Sequence, residues 1–346
     1  MDYTHFLSAY MPDSNYGEKQ VFLDMVELSV TAERLGYRGV AIPEHHLINI
    51  TMVPSPLQLA VKIACSTHRL EMTTAVAVLP VRDMRVFAGE VAQAFLLTDE
   101  RLILGVGRGA YPYETSRLGV PLEETRAVFD ESLDVLEALL SRKEVSWNGS
   151  RYKFEAMTVM PRTPRPVPIT VAASTPEALF HVARKGYNAM TTPLSGDHEL
   201  LKRQVAMFME GRSQAGPAAA KNRLGLQRGI YAAKDDVEAK RIVSLAYSYF
   251  QRFENIKGPG VVHDGMIEPL PRKQSLEELA ANLLVRTPAE LVDLLSEYDA
   301  IGIDELIMTC GYGQSQAETL EMMHRFSEEV MPYLRGSKKT SATSTT

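Results

Sequence analysis

Apolar positions along the chain alternate between two spacings. Short, nearly continuous apolar runs at Arg38–Ile42, Leu102–Val106, Ile169–Ala172, Asn188–Thr191 and Glu305–Thr309 read as buried strands. Between such runs the apolar residues fall three or four apart. Val21, Met25, Leu28, Ala32 and Leu35 mark one helix from Glu18 to Leu35, and Gly36 follows as its stop. Ser55-Pro56 is an N-cap and first-turn pair that opens a helix through Ala64. The same spacing predicts helices over Val86–Leu97, Glu124–Leu140, Pro176–Lys185, His198–Ala215, Asp235–Phe253, Pro288–Tyr298 and Gln316–Leu334. Further strands are expected at Phe6–Tyr10, Leu70–Leu79 and Leu224–Tyr231, which makes eight core strands, most followed by a helix.

Regular strand–helix repetition gives parallel strands joined by right-handed crossovers. Eight such units over a chain of 346 residues fit an α/β fold of the (β/α)8 TIM-barrel type better than an open doubly wound sheet. One barrel domain over residues 1–336 is expected, with two departures from the repeat. Asn148-Gly149 suits a type I′ turn and predicts a hairpin insertion at about 144–155. Glu254–Ser275 carries Gly, Pro and mixed charge without periodicity, so the stretch at about 254–276 is expected to be a mobile lid. Residues 337–346 are polar and low in complexity, and are expected to form a disordered tail.

Composition changes this picture little. The net charge of −6 argues against a nucleic-acid partner, although it leaves room for one small phosphate in a local basic pocket. Two cysteines, Cys65 and Cys310, make no disulfide framework and are expected to be reduced core residues. No apolar run approaches the ~18 residues that span a bilayer, and the first residues carry no signal peptide, so a cytoplasmic protein without a membrane partner is expected.

In such a barrel, function sits where strands end on the C-terminal side. Pro43-Glu44-His45-His46 follows the second strand. Histidine suits proton handling near neutrality, and no spacing here suits a metal set. The stretch from Thr74 to Pro80 is small enough for a flat ligand to approach the backbone, or is an ordinary buried strand. Gly107-Arg108-Gly109, with Tyr111 beyond, follows the fourth strand: glycine permits close approach and arginine suits a phosphate. The spacing is not a dinucleotide fingerprint. Ala172-Ala173-Ser174-Thr175 follows the fifth strand, with Thr175 as N-cap, and a helix start there suits an anion or is a plain capped helix.

In order and spacing these pieces resemble the bacterial luciferase-like flavin monooxygenases, alkanal monooxygenase alpha subunits among them. The likeness runs from Phe6 to Leu334, through Glu44-His45-His46, Val78-Leu79-Pro80, Gly107-Arg108-Gly109, Tyr111, Val171 to Ser174 and Val330-Met331-Pro332-Tyr333-Leu334. The resemblance implies a two-component monooxygenase that receives FMN as FMNH2 from a separate NAD(P)H flavin reductase. It would activate O2 as a C4a-(hydro)peroxyflavin and oxygenate a small carbonyl, alkene or aromatic substrate. It implies His45 as the catalytic residue, flavin contacts at Ala75, Val76, Arg108, Tyr111, Ala172, Ala173, Ser174 and Thr175, a cis peptide at Ala75-Val76, and a homodimer through Met52–Leu70 and Val86–Leu97. Gly107, Asp83, Ala173 and Phe95 stand where relatives carry cysteine, histidine, glutamate and aspartate. Two other readings are a hydride-transferring oxidoreductase that uses the deazaflavin F420, with Arg82, Arg85 and Lys153 near its acidic tail, and a non-catalytic flavin-binding partner.

Overall fold

The computed structural model describes residues 1–192 and 198–335. Eight strands close into one ring: β1 (Asp2–Phe6), β2 (Gly39–Ile42), β3 (Glu71–Thr74), β4 (Leu102–Gly107), β5 (Ile169–Ala172), β6 (Asn188–Thr191), β7 (Leu224–Ala232) and β8 (Glu305–Thr309). Each pairs in parallel with the next, and β8 returns to β1 through Asp2↔Glu305 and Thr4↔Ile307. The expected (β/α)8 barrel is therefore the fold.

Helices surround the ring: α1 (Glu18–Arg34), α2 (Pro56–Ala64), α3 (Met84–Leu97), α4 (Thr125–Ser141), α5 (Pro176–Arg184), α6 (His198–Gln214), α7 (Asp236–Lys257), α8 (Pro288–Ala300) and α9 (Gln316–Glu329). Their apolar faces and the outward faces of the strands make one continuous core, which holds most of the buried aliphatic side chains. Inside the ring, Phe6, Ala41, Met190 and Ile307 form a separate small cluster against which Ala75 and Val76 pack. These residues plug the barrel, so its mouth has a floor. Among the described residues no helix is long and apolar enough to cross a membrane.

Several elements differ from the sequence expectation. The first strand is Asp2–Phe6, not Phe6–Tyr10. Its polar Thr4 and His5 are buried, Thr4 on Glu305 and His5 beside Cys310, so the strand does not look apolar. The stretch expected as strand Leu70–Leu79 breaks after Thr74, where the Ala75-Val76 peptide is cis as the resemblance implied, and Ala77–Val78 then pairs with β4 again. That crossing brings backbone against backbone: a Cβ on Gly105 would lie 1.8 Å from the Thr74 carbonyl oxygen. Glycine is required there by the close approach.

Helix α7 runs on to Lys257, past the expected end at Phe253, and Glu254–Ser275 is not structureless. It contains a small antiparallel hairpin, Val262–His263 with Met266–Ile267. Two buried asparagines strap it down. Asn255 donates to the Val261 and Glu268 carbonyls and accepts from the Val261 amide, while Asn49 accepts from the Ile267 amide. A short helix, Leu276–Asn282, and a strand, Leu284–Arg286, follow; neither was expected. The last helix breaks at Val330 because Pro332 lacks an amide to continue it, leaving a separate turn at Met331–Arg335. Cys65 is exposed at the end of α2, where a core position was expected, whereas Cys310 is buried. The hairpin stands as Val145–Asn148 paired with Lys153–Met157, and the tail at 337–346 lies outside the described residues.

Candidate functional site

A cavity of about 500 Å³ opens at the C-terminal mouth of the barrel, where the strand ends converge. Its floor is made of small side chains. Ala75, Val76, Gly107, Ala172 and Ala173 all line it. A Cβ at Gly107 would sit 2.4 Å from Val76 Cγ2, so the floor stays flat only with glycine there. This surface admits a flat, extended ligand against backbone.

His45 stands at the edge of the floor. Its Nδ1 lies 3.0 Å from both carboxylate oxygens of Glu114, on the short helix Pro112–Arg117. Glu114 is buried and also accepts the His46 amide at 2.9 Å. A carboxylate only accepts, so the proton between the two sits on Nδ1. The opposite ring nitrogen, Nε2, is left for the cavity. Tyr111 packs on the His45 ring at 5.0 Å, and Phe253 packs on Tyr111. Burial, reinforced by Glu114, raises the Tyr111 phenol above its ordinary range, which keeps it a neutral donor.

The other histidine points elsewhere. His46 Nε2 lies 2.9 Å from Glu44, whose side chain is fully buried. Glu44 also accepts the Val78 amide at 3.2 Å and pairs with Arg82 at 2.8 Å. One carboxylate thus fastens the end of β2 to the segment after β3 and to the approach to α3.

The expected phosphate groups converge only in part. Arg108 is exposed, lines the cavity and has no hydrogen-bond or ion-pair partner among the described residues. Ser174 lines it too. Thr175 instead caps α5, its hydroxyl accepting the Ala178 amide at 3.2 Å, and is not among the lining residues. Gln204 of α6, buried and not foreseen, donates to the Ser174 carbonyl at 2.6 Å and holds this loop in place. Arg82, Arg85 and Lys153 do not line the cavity: Arg82 serves Glu44, Arg85 pairs with Asp83, and Lys153 lies in the outer hairpin. Trp147 is also in that hairpin, bonded to Glu131.

The far wall was not foreseen. Tyr249, Phe250 and Phe253 line it from the last turns of α7, joined by Arg228 of β7, Lys257 and Arg272. Burial pushes the Tyr249 phenol upward as well. Glu114 and these cations carried no local signal. Glu114 sits 69 positions from its partner, and Arg228 is embedded in a strand pattern.

A second cavity, of about 350 Å³, lies at the N-terminal end of the barrel and is lined by ion-paired arginines and carboxylates such as Arg38, Glu71 and Arg223. Charge at that end of a barrel serves stability.

The family model for luciferase-like monooxygenase matches residues 1–305. The chain is 27% identical over 337 residues to the oxygenase component of the flavin-dependent trigonelline monooxygenase of Acinetobacter baylyi, covering 93% of this chain and 92% of that one. It is 26% identical over 329 residues to an F420-dependent glucose-6-phosphate dehydrogenase of Beutenbergia cavernae, covering 91% and 94%. The crystal structure of a monooxygenase from Streptomyces bottropensis superposes with a TM-score of 0.83 at 22% identity, covering 96% of this chain and 99% of that one, a likeness of fold.

Proposed function

For a chain that belongs to the luciferase-like monooxygenase family, we propose the role of oxygenase component in a two-component, FMN-dependent monooxygenase that acts on a small organic substrate. The observation that carries this reading is the His45–Glu114 pair standing over a floor of small side chains. The floor suits an isoalloxazine ring, and the unpartnered Arg108 with the Ser174 hydroxyl suits its phosphate. The residues present therefore fit the group.

Reduced FMN, when bound, supplies the two electrons with which O2 is activated for transfer of one oxygen atom to the substrate. The chain's own residues do the rest. Arg108 and Ser174 bind the phosphate and set the ring's position. Glu114 fixes the His45 tautomer, so Nε2 holds or receives a proton at the open side of the floor. Tyr111, Phe253 and the strapped segment after α7 exclude water. The substrate occupies the remaining space toward α7. A separate NAD(P)H flavin reductase delivers the cofactor. A homodimer would use α3, where Val86 and Leu97 are exposed on one face. The segment 254–276 would act as the lid, opening at its two asparagine straps.

Arg108→Ala is the direct test. One charge-assisted phosphate contact is worth roughly 1.5–3 kcal/mol, about 10- to 150-fold in affinity. FMN affinity, followed by quenching of flavin fluorescence, falls by that factor, while riboflavin affinity holds. Equal losses for both flavins remove Arg108 from the phosphate site. The wild type titrated with F420 in parallel separates the cofactors: tighter binding of F420 than of FMN, with no oxygenated product from FMNH2 and O2, makes the protein a hydride-transfer enzyme instead.

A further inference from the structure

We propose that Arg228, Lys257 and Arg272 form a second anion subsite in this cavity, and that it takes the carboxylate of a planar aromatic substrate. The inference rests on the flavin reading above and names its substrate class.

The cavity is more basic than the protein. In a chain of net charge −6, four permanent cations line it, Arg108, Arg228, Lys257 and Arg272, against two carboxylates, Glu44 and Glu254. Glu44 is already committed to Arg82, His46 and the Val78 amide. Among the described residues Glu254 reaches only Arg272, at 3.4 Å, and its own side chain is 39% exposed. Positive charge is therefore left over in a concave, partly apolar site, which draws anions.

One phosphate does not account for it. Arg108 follows directly after β4, whereas Arg228 lies on β7, three strands further round the ring. With neighbours about 4.8 Å apart around an eight-stranded barrel, the two sides of the mouth are separated by on the order of 10 Å. Arg272 and Lys257 belong to the α7 side, Arg272 through the Phe250 carbonyl, and Arg228 reaches the Asn282 carbonyl at the end of the short helix Leu276–Asn282 that follows.

The guanidinium groups are held with donors to spare. Arg272 Nη1 is fixed on the Phe250 carbonyl and Nη2 on Gln274, and Arg228 Nη2 on Asn282. The Nε of each is buried without a partner. Those buried nitrogens are out of a ligand's reach, so a carboxylate would accept from Arg228 Nη1, which has no hydrogen-bond partner among the described residues, and from the exposed Lys257 ammonium, and a neutral amide attracts both less.

The same wall supplies a place for an aromatic body. Tyr249, Phe253 and Lys257 follow one another four residues apart on α7, so they share a face. The rings of Tyr249 and Phe253 meet at 5.1 Å. Arg272 lies over the Phe250 ring at 5.5 Å. A flat ring against these aromatics would carry its carboxylate to the cations while its far edge lies over the floor that His45 overlooks.

Benzoate and benzamide are the probes: the same ring, with and without the charge. Each is titrated calorimetrically into the FMN-loaded protein. Benzoate binds at least about tenfold more tightly than benzamide, and raised salt narrows the gap. Arg228→Met and Arg272→Met each weaken benzoate about tenfold and leave benzamide and FMN affinity near wild type. Lys257→Gln, an exposed change that does not touch the packing, weakens benzoate by a smaller factor, and Arg272→Lys keeps part of the binding if Arg272→Met does not fold. Equal binding of the two probes, or variants that leave benzoate unaffected, overturns the subsite. Variants that weaken FMN as much as benzoate assign the cations to the cofactor phosphate and also overturn it. Loss confined to F420 with its glutamyl tail, absent with the tail-less deazaflavin, assigns them to a cofactor tail. Failure of the wild type to bind FMN overturns the flavin reading separately. Benzoate and benzamide titrated into the apoprotein then decide the subsite by the same charge dependence.

Discussion

His45→Ala leaves FMN affinity near that of the wild type and lowers turnover about a hundredfold or more. The magnitude follows from the usual contribution of one positioned acid–base group, roughly 10²–10⁴ in rate. His45 lines the cavity beside the floor, and the phosphate contacts are assigned to Arg108 and Ser174 instead, so binding and turnover separate. Glu114→Gln tests whether the carboxylate acts through the histidine. A glutamine can turn its amide N–H toward Nδ1 and so favour the other tautomer, with the proton on Nε2. Turnover then falls most of the way toward the His45→Ala value, FMN affinity holds, and the imidazole nitrogen resonances of His45 report the exchanged tautomer. A structural role for Glu114 alone would lower thermal stability and leave the tautomer unchanged. The double variant, His45→Ala with Glu114→Gln, is no slower than His45→Ala if the two residues act as one unit. Independent losses that multiply would break the pair as a functional assembly.

Much of this fold is legible in the sequence because its signal is local. Strands such as Ile169–Ala172 and Asn188–Thr191 are short apolar runs bounded by proline or glycine, and their observed limits match the expected ones. Helix α2 starts at Pro56 as expected, although the Ser55 hydroxyl makes no capping bond. The signal fails where tertiary partners replace hydrophobicity. β1 hides its period because Thr4 finds Glu305, about 300 positions away. The segment after α7 is ordered not by periodicity but by the side-chain amides of Asn255 and Asn49, which supply the hydrogen bonds its backbone lacks locally.

The candidate site divides in the same way. His45, Arg108 and the small floor residues sit directly after strands, where a barrel exposes its functional groups, so position alone flags them. Their partners do not. Glu114 reads as one more charge in a helical turn, and only closure of the ring brings it to His45. Arg228 and Arg272 come from a strand and from an aperiodic stretch, and they become a pair of neighbours to one cavity only in three dimensions. Thr175 shows the converse: its N-cap signature is correct, its hydroxyl accepting the Ala178 amide, yet it does not line the cavity.

Glu44→Ala destabilises the protein by about 3–5 kcal/mol, the cost of removing one partner from a buried ion pair. Glu44 is 2% exposed and serves three donors: His46 Nε2, the Val78 amide and Arg82. Without it, the Arg82 guanidinium is left in a site where its Nε already lacks a partner, and Phe87 under its plane gives only partial compensation. Glu44→Gln keeps the shape, accepts one of these bonds and places an amide N–H against Arg82, so it destabilises by less than Ala. Denaturant unfolding monitored by far-ultraviolet circular dichroism gives both values. The double variant Glu44→Ala with Arg82→Met removes the orphaned charge and recovers part of the loss, because most of the cost is the unpaired cation rather than a missing attraction. If that variant recovers nothing, the stability comes from the Val78 and His46 contacts. Flavin affinity separates the two cases. Val78 closes the segment that carries Ala75 and Val76, so a Glu44 that acts through Val78 loosens the floor and weakens FMN along with the fold. A Glu44 that acts through Arg82 leaves FMN affinity near wild type once the protein is folded.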